Sequence, residues 1–120
     1  MVRVGFLGCG FIARYHVMQL ALSPVLCEVV ACHDPDEQRA RSFIGHITDD
    51  HRGLGTPRYH DSADSLLSNV DAVFVCTWTA THLDLVSRAV RVGVAVFCEK
   101  PLGVDLADAT EVAEVLSNAP

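Results

Sequence analysis

Four short runs of β-branched and apolar residues, VRVGFL (2–7), CEVVACH (27–33), DAVFVC (71–76) and VAVFC (94–98), alternate with stretches of helical spacing. This alternation constrains the fold more than any other property of the chain. Runs this short, without a regular polar position, predict strands covered on both faces, as in a parallel sheet. The helical patterns are FIARYHVMQLAL (11–22), DEQRARSFI (36–44), SADSLLS (62–68), THLDLVSRAV (81–90) and DLADATEVAEVL (105–116). A weaker run, PRYH (57–60), fills the third strand position. Right-handed crossovers between successive parallel strands then predict an α/β doubly wound sheet of order 3-2-1-4-5.

The 120 residues fit one domain, 1–120, and half of them are apolar, enough for a core of its own. A formal charge of −6 argues against a nucleic-acid footprint, which needs clustered Lys and Arg. Arg39 with Arg41, and Arg88 with Arg91, are spaced as solvated helix faces. No apolar run approaches the roughly 18 residues of a spanning helix, and no cleavable leader pattern is present, so a cytoplasmic protein without membrane contact is expected. The five cysteines, never spaced C-x-x-C, read as small buried thiols in a reducing compartment. The segment GHITDDHRGLGTP (45–57), rich in Gly, Asp and His and without a period, is expected to be the most mobile loop. Its His46, Asp49, Asp50 and His51 lack a scaffold to fix a metal, and no metal site is expected.

Three strand ends carry the candidate chemistry. GFLGCGFIARYH places Gly8, Gly10 and Ala13 in a G-x-G-x-x-A spacing between the first strand and the first helix. Gly8 permits the tight turn, Gly10 lets a pyrophosphate approach the backbone, and Ala13 allows close helix-to-strand packing. The helix N-terminus, opening at Phe11 and Ile12, favours the phosphate charge. Asp34 ends the second strand, a little over ~20 residues beyond the glycines, where a carboxylate accepts hydrogen bonds from both ribose hydroxyls and repels a 2′-phosphate. NAD is therefore expected over NADP, although Arg39 or Arg41 could soften the preference; the plainer alternative is that Asp34 caps the next helix. An S-adenosylmethionine methyltransferase also begins with G-C-G, but Phe6 stands where such enzymes carry an acid and Ile12 where they carry a third glycine.

The fourth strand ends in Thr77, Trp78, Thr79, Thr81 and His82, at the carboxyl edge where open α/β sheets bind ligands. Thr79 or Thr81 can cap the next helix, His82 reads as structural or substrate-facing, and Trp78 as core or as a wall of a nicotinamide pocket. The fifth strand runs into Glu99, Lys100 and Pro101. Lys100 is the only lysine of the chain. Its ammonium can hydrogen-bond a substrate hydroxyl or carbonyl, stabilise developing alkoxide charge and, once buried, take part in proton transfer, with Glu99 to orient it. A cis bond before Pro101 would shape this turn.

Taken together, GFLGCGFIARYH, ACHDPDEQRA, CTWTATH and FCEKPLG resemble the nucleotide-binding half of the Gfo/Idh/MocA family of oxidoreductases, over essentially the whole chain. The resemblance implies that Gly8, Gly10 and Asp34 hold NAD or NADP, and that Lys100 lies by the nicotinamide and assists oxidation of a sugar or polyol hydroxyl as the catalytic residue. Phe11, Ile12, Thr77, Trp78, His82 and Glu99 complete the expected cofactor contacts. Family members commonly have Thr-Pro-Asn where Thr77, Trp78 and Thr79 stand here. They also continue into a second, mixed α/β domain that supplies the substrate pocket. No run for a sixth strand follows the last helix, so the expectation is the N-terminal part of a longer dehydrogenase, inactive alone. A free-standing dinucleotide-binding or sensing module is the alternative, and pairing of two copies across an exposed sheet edge is a possible oligomer contact.

Overall fold

The computed structural model describes residues 1–120. Strands β1 (Val2–Leu7), β2 (Cys27–His33), β3 (Arg58–Tyr59), β4 (Ala72–Val75) and β5 (Ala95–Cys98) form one sheet of order β3-β2-β1-β4-β5. Every neighbouring pair is parallel. Helices α1 (Phe11–Leu22), α2 (Glu37–Asp50), α3 (Ala63–Leu67), α4 (His82–Arg91) and α5 (Leu106–Leu116) connect and follow the strands, with short 3-10 turns at Arg52–Leu54 and Thr79–Thr81. The expected doubly wound order is the one observed. No helix is long and apolar enough to cross a membrane.

The sheet separates two side-chain clusters. Beneath α1 and α2 lie Phe6, Val17, Val29, Phe43 and Ile47, all fully buried. Phe6 stacks on Phe74 at 4.8 Å and meets Phe43 edge-on at 5.2 Å, so truncating it would cost about 3–5 kcal/mol. On the opposite face Leu7, Leu66, Val73, Val75, Val86 and Val112 pack under α3, α4 and α5. β5 departs from the expectation of strands covered on both faces: Phe97 is half exposed, because β5 is an edge strand whose α1 side is covered only in part, by the His16 ring 4.9 Å away.

The segment 45–57 is also different from its expectation. α2 runs on to Asp50, and only a 3-10 turn and a few residues separate it from β3. Ala40, Phe43 and Ile47 continue one buried face of the helix at helical spacing. His46 Nδ1 reaches Asp50 Oδ2 at 3.2 Å, one turn along. Asp36 is the N-cap, its side chain accepting from the N–H groups of Gln38 and Arg39. This removes the capping alternative for Asp34 and leaves that carboxylate for other partners. All five cysteines are free; Cys9, Cys27 and Cys32 are buried, whereas Cys76 and Cys98 are half-buried.

Candidate functional site

Gly8 leaves β1 with φ +89°, a conformation that side chains rarely tolerate. A Cβ there would stand 2.5 Å from the carbonyl oxygen of Cys76, so the turn presses directly on the exit of β4. Gly10 is different: nothing lies within 4 Å of where its Cβ would be, and this open space faces the first turn of α1. No side chain caps α1, so its first N–H groups are free to meet an anion. Ala13 is fully buried against the sheet, as close helix packing requires.

Asp34 follows β2 and is 4% exposed. Its Oδ2 accepts the Cys9 N–H at 3.0 Å, and its Oδ1 accepts the Asp36 N–H at 2.9 Å. Each oxygen keeps a further lone pair for an incoming hydroxyl. The Arg39 guanidinium lies 3.7 Å from Oδ1, and its side chain is half exposed. Gly8, Cys9, Gly10, Asp34, Asp36, Arg39, Thr77, Trp78 and Asp84 line one cleft of about 530 Å³ at the carboxyl edge of β1, β2 and β4. Open space at Gly10, free N–H groups and an acceptor-rich carboxylate along one cleft fit the phosphates and ribose of a dinucleotide.

Phe11, Ile12, His82, Glu99 and Lys100 lie outside that cleft. Trp78 is 84% exposed on its rim, so it is not core. Thr81 stands at the N-cap of α4 but makes no side-chain capping bond: its Oγ1 donates back to the Trp78 carbonyl at 2.6 Å and lies 2.6 Å from Thr77 Oγ1. His82 is almost fully buried, with Nδ1 3.1 Å from the Leu102 carbonyl and Nε2 3.2 Å from the Thr77 carbonyl. A neutral imidazole has one N–H and donates to one of these at a time. The ring therefore braces the two loops that leave β4 and β5, and neither nitrogen faces the cleft.

Lys100 sits at the end of β5, after Glu99 N–H has paired with the Val75 carbonyl of β4 at 3.0 Å. It is exposed rather than buried, and a cis peptide joins it to Pro101. Gly103 closes the turn against α5, where a Cβ would come within 2.2 Å of the Ala109 nitrogen. Glu99 holds the backbone of Lys100, its Oε1 accepting that N–H at 3.1 Å, and makes no hydrogen bond to the ammonium. Glu99 Oε2 lies 2.6 Å from His16 Nε2, and this hydrogen bond is the main cause that holds the carboxyl below its ordinary range. His16 went unassigned in the sequence, yet a signal existed: with Ala13, Val17 and Leu20 it forms the inward stripe of α1. A titratable residue on such a stripe needs a partner. Burial pushes the nearby thiols up, Cys76 to about 12 and Cys98 to about 11, so neither is a ready nucleophile at neutral pH.

Comparison with known proteins supplies the context. The family GFO_IDH_MocA, described as an oxidoreductase family with NAD-binding Rossmann fold, matches residues 2–119. Inositol 2-dehydrogenase 3 of Saccharopolyspora erythraea is 38% identical over 117 residues, which are 97% of this chain and 32% of that protein. Among solved structures, myo-inositol dehydrogenase from Lactobacillus casei in complex with NAD(H) and myo-inositol superposes with a TM-score of 0.80 at 30% identity, over 96% of this chain and 33% of that one. UDP-N-acetylglucosamine 3-dehydrogenase from Acidithiobacillus ferrooxidans gives a TM-score of 0.77 at 27% identity, over 97% and 34%. The chain thus spans about a third of the length of these relatives.

Proposed function

The chain belongs to the Gfo/Idh/MocA oxidoreductase family as an NAD-binding Rossmann fold, and from that premise we propose that it is the cofactor-binding half of a dehydrogenase acting on a sugar or polyol hydroxyl. The observation that carries this reading is the buried Asp34 carboxylate, anchored by the Cys9 and Asp36 N–H groups and lining the same cleft as the neighbouring Gly10. Bound there, a nicotinamide would supply the hydride acceptor. Gly8 and Gly10 would admit the phosphates, and the first turn of α1 would hold their charge. Asp34 would accept from the ribose hydroxyls, which favours NAD; a 2′-phosphate would meet its charge at short range, with Arg39 as the one opposing cation on the cleft. Thr77 and Trp78 would flank the nicotinamide end.

Lys100 would present its ammonium to the substrate oxygen at the carboxyl edge and stabilise charge as the hydroxyl proton leaves. The substrate class rests on relatives whose own names specify inositol or a UDP-sugar, and the contrast between those two leaves its identity to residues beyond this half. This reading includes a longer, cytoplasmic enzyme whose substrate pocket is built elsewhere. It also includes association of two copies along the free β5 edge, where Phe97 is exposed; light scattering that finds only monomer at high concentration would remove that part.

Calorimetric titration with NADH and NADPH, on the chain and on Asp34→Ala, tests the central claim. NADH binding that weakens in the variant by at least about tenfold supports it, since a hydrogen bond to a charged group carries that weight. Binding that is indifferent to Asp34, or a preference for NADPH, would overturn the assignment of the ribose site.

A further inference from the structure

We infer that His16 is a positioning residue for Lys100, acting through Glu99; the inference rests on the role proposed for Lys100. The geometry is a relay from helix to strand end. His16 and Glu99 are 83 residues apart in sequence, yet Nε2 and Oε2 meet at 2.6 Å, with side chains only 15% and 17% exposed. The other carboxylate oxygen takes the Lys100 N–H. One carboxylate therefore ties the backbone of the lysine turn to α1, the helix whose N-cap, Gly10, lines the cleft. The imidazole is itself fixed, with its ring 4.9 Å from Phe97 and 5.3 Å from Phe74. With Glu99 ionised, Nε2 must carry the proton and donate. The lysine side chain makes no ion pair that would fix it in any other way, so its placement depends on where its backbone is held. Because α1 also carries the phosphate turn, the same contact registers Lys100 against the cofactor cleft.

The single lysine makes this measurable. Lysine-selective labelling gives one backbone amide and one ε-methylene signal, both from Lys100. His16→Ala should speed exchange of the Lys100 amide by at least about tenfold relative to the amides of β1 and β4, the weight of one hydrogen bond to a charged group. His16→Gln, whose side-chain amide can donate to Glu99, should restore most of the protection. Exchange that quickens equally across β1 and β4, or that Gln does not rescue, would reduce His16 to ordinary packing and overturn the inference. Should His16→Ala fail to fold, His16→Phe, which keeps an aromatic ring against Phe74 and Phe97 but has no donor for Glu99, decides: faster exchange of the Lys100 amide with β1 and β4 unchanged supports the relay, and unchanged exchange refutes it.

Addition of NADH separates this inference from the reading beneath it. If NADH shifts the ε-methylene signal of the wild type and that shift falls by more than half in His16→Ala while affinity holds, the positioning role stands. An equal shift in both removes the positioning role and leaves the cofactor site intact. Failure of NADH to bind the wild type, by contrast, defeats the cofactor reading and with it the purpose proposed for the relay, whatever the exchange data show.

Discussion

The two ends of the carboxyl edge are built in opposite ways. Around β1 and β2 the site is made of backbone: Gly8 against Cys76, and Cys9 and Asp36 N–H groups on a carboxylate that is 4% exposed. Around β4 and β5 it is made of side chains at the surface, with Trp78 84% exposed and the ammonium of Lys100 without an ion-pair partner. Only the supports of that second end, His82 and the His16–Glu99 contact, are sheltered. A site made of backbone is fixed by the fold and tolerates almost no substitution. The other end is fixed only at its roots, and its exposed groups, the Trp78 ring and the Lys100 ammonium, can change without disturbing the sheet.

The strongest test of this contrast is Gly8→Ala. A positive φ combined with a Cβ 2.5 Å from a carbonyl oxygen should destabilise the domain by about 3 kcal/mol or more and abolish NADH binding, as read by denaturant unfolding and titration. Next comes Asp34→Ala, which strands the buried Cys9 N–H and should cost about 1–3 kcal/mol in the same unfolding assay. If Asp34→Ala unfolds no more easily than wild type, the first end is less rigidly built than its geometry implies.

Glu99→Gln should have a smaller effect, and one that depends on pH. The folded carboxyl titrates below its unfolded value of about 4.3. Its contribution to stability is therefore complete above that value and is lost as pH falls through the folded one. The stability gap between wild type and Glu99→Gln should be widest near neutrality and close in acid; a gap that stays constant down to pH 3 would show that the contact with His16 carries no charge. Smallest of all, Trp78→Ala should move stability by no more than about 0.5 kcal/mol, since the ring is exposed. Loss of Trp78 fluorescence on adding NADH to the wild type would place this sole tryptophan beside the bound cofactor, and unchanged emission would move it off the binding path.

Much of the fold was legible because its signals are local. β1, β2 and α1 have the boundaries that their apolar runs predict, and the strand order follows from parallel pairing and crossover handedness. The pattern alone ends the second helix at Ile44, because Gly45 and the polar residues after it read as a loop, whereas Ile47, in register with Phe43 and Ala40, carries α2 through to Asp50. At the site, Gly8 was legible because the turn against Cys76 admits only glycine, and Asp34 because a carboxylate ends the apolar run of β2; for Gly10 the open space beside it is compatible with the role proposed. His82 and His16 were harder. What they do is decided by partners 20 and 83 positions away, and no window of sequence brings those together.

The two side-chain clusters on either face of the sheet have a consequence for divergence. Phe6 and Phe43 belong to one, Leu66, Val86 and Val112 to the other, and the strands stand between them. A lineage can exchange residues under α4 and α5, and so re-aim the loops that leave β4 and β5, while the cluster under α1 and α2 drifts on its own schedule. Substitutions on opposite faces should combine almost independently. That insulation gives one inherited nucleotide frame the latitude to serve descendants of very different appetite.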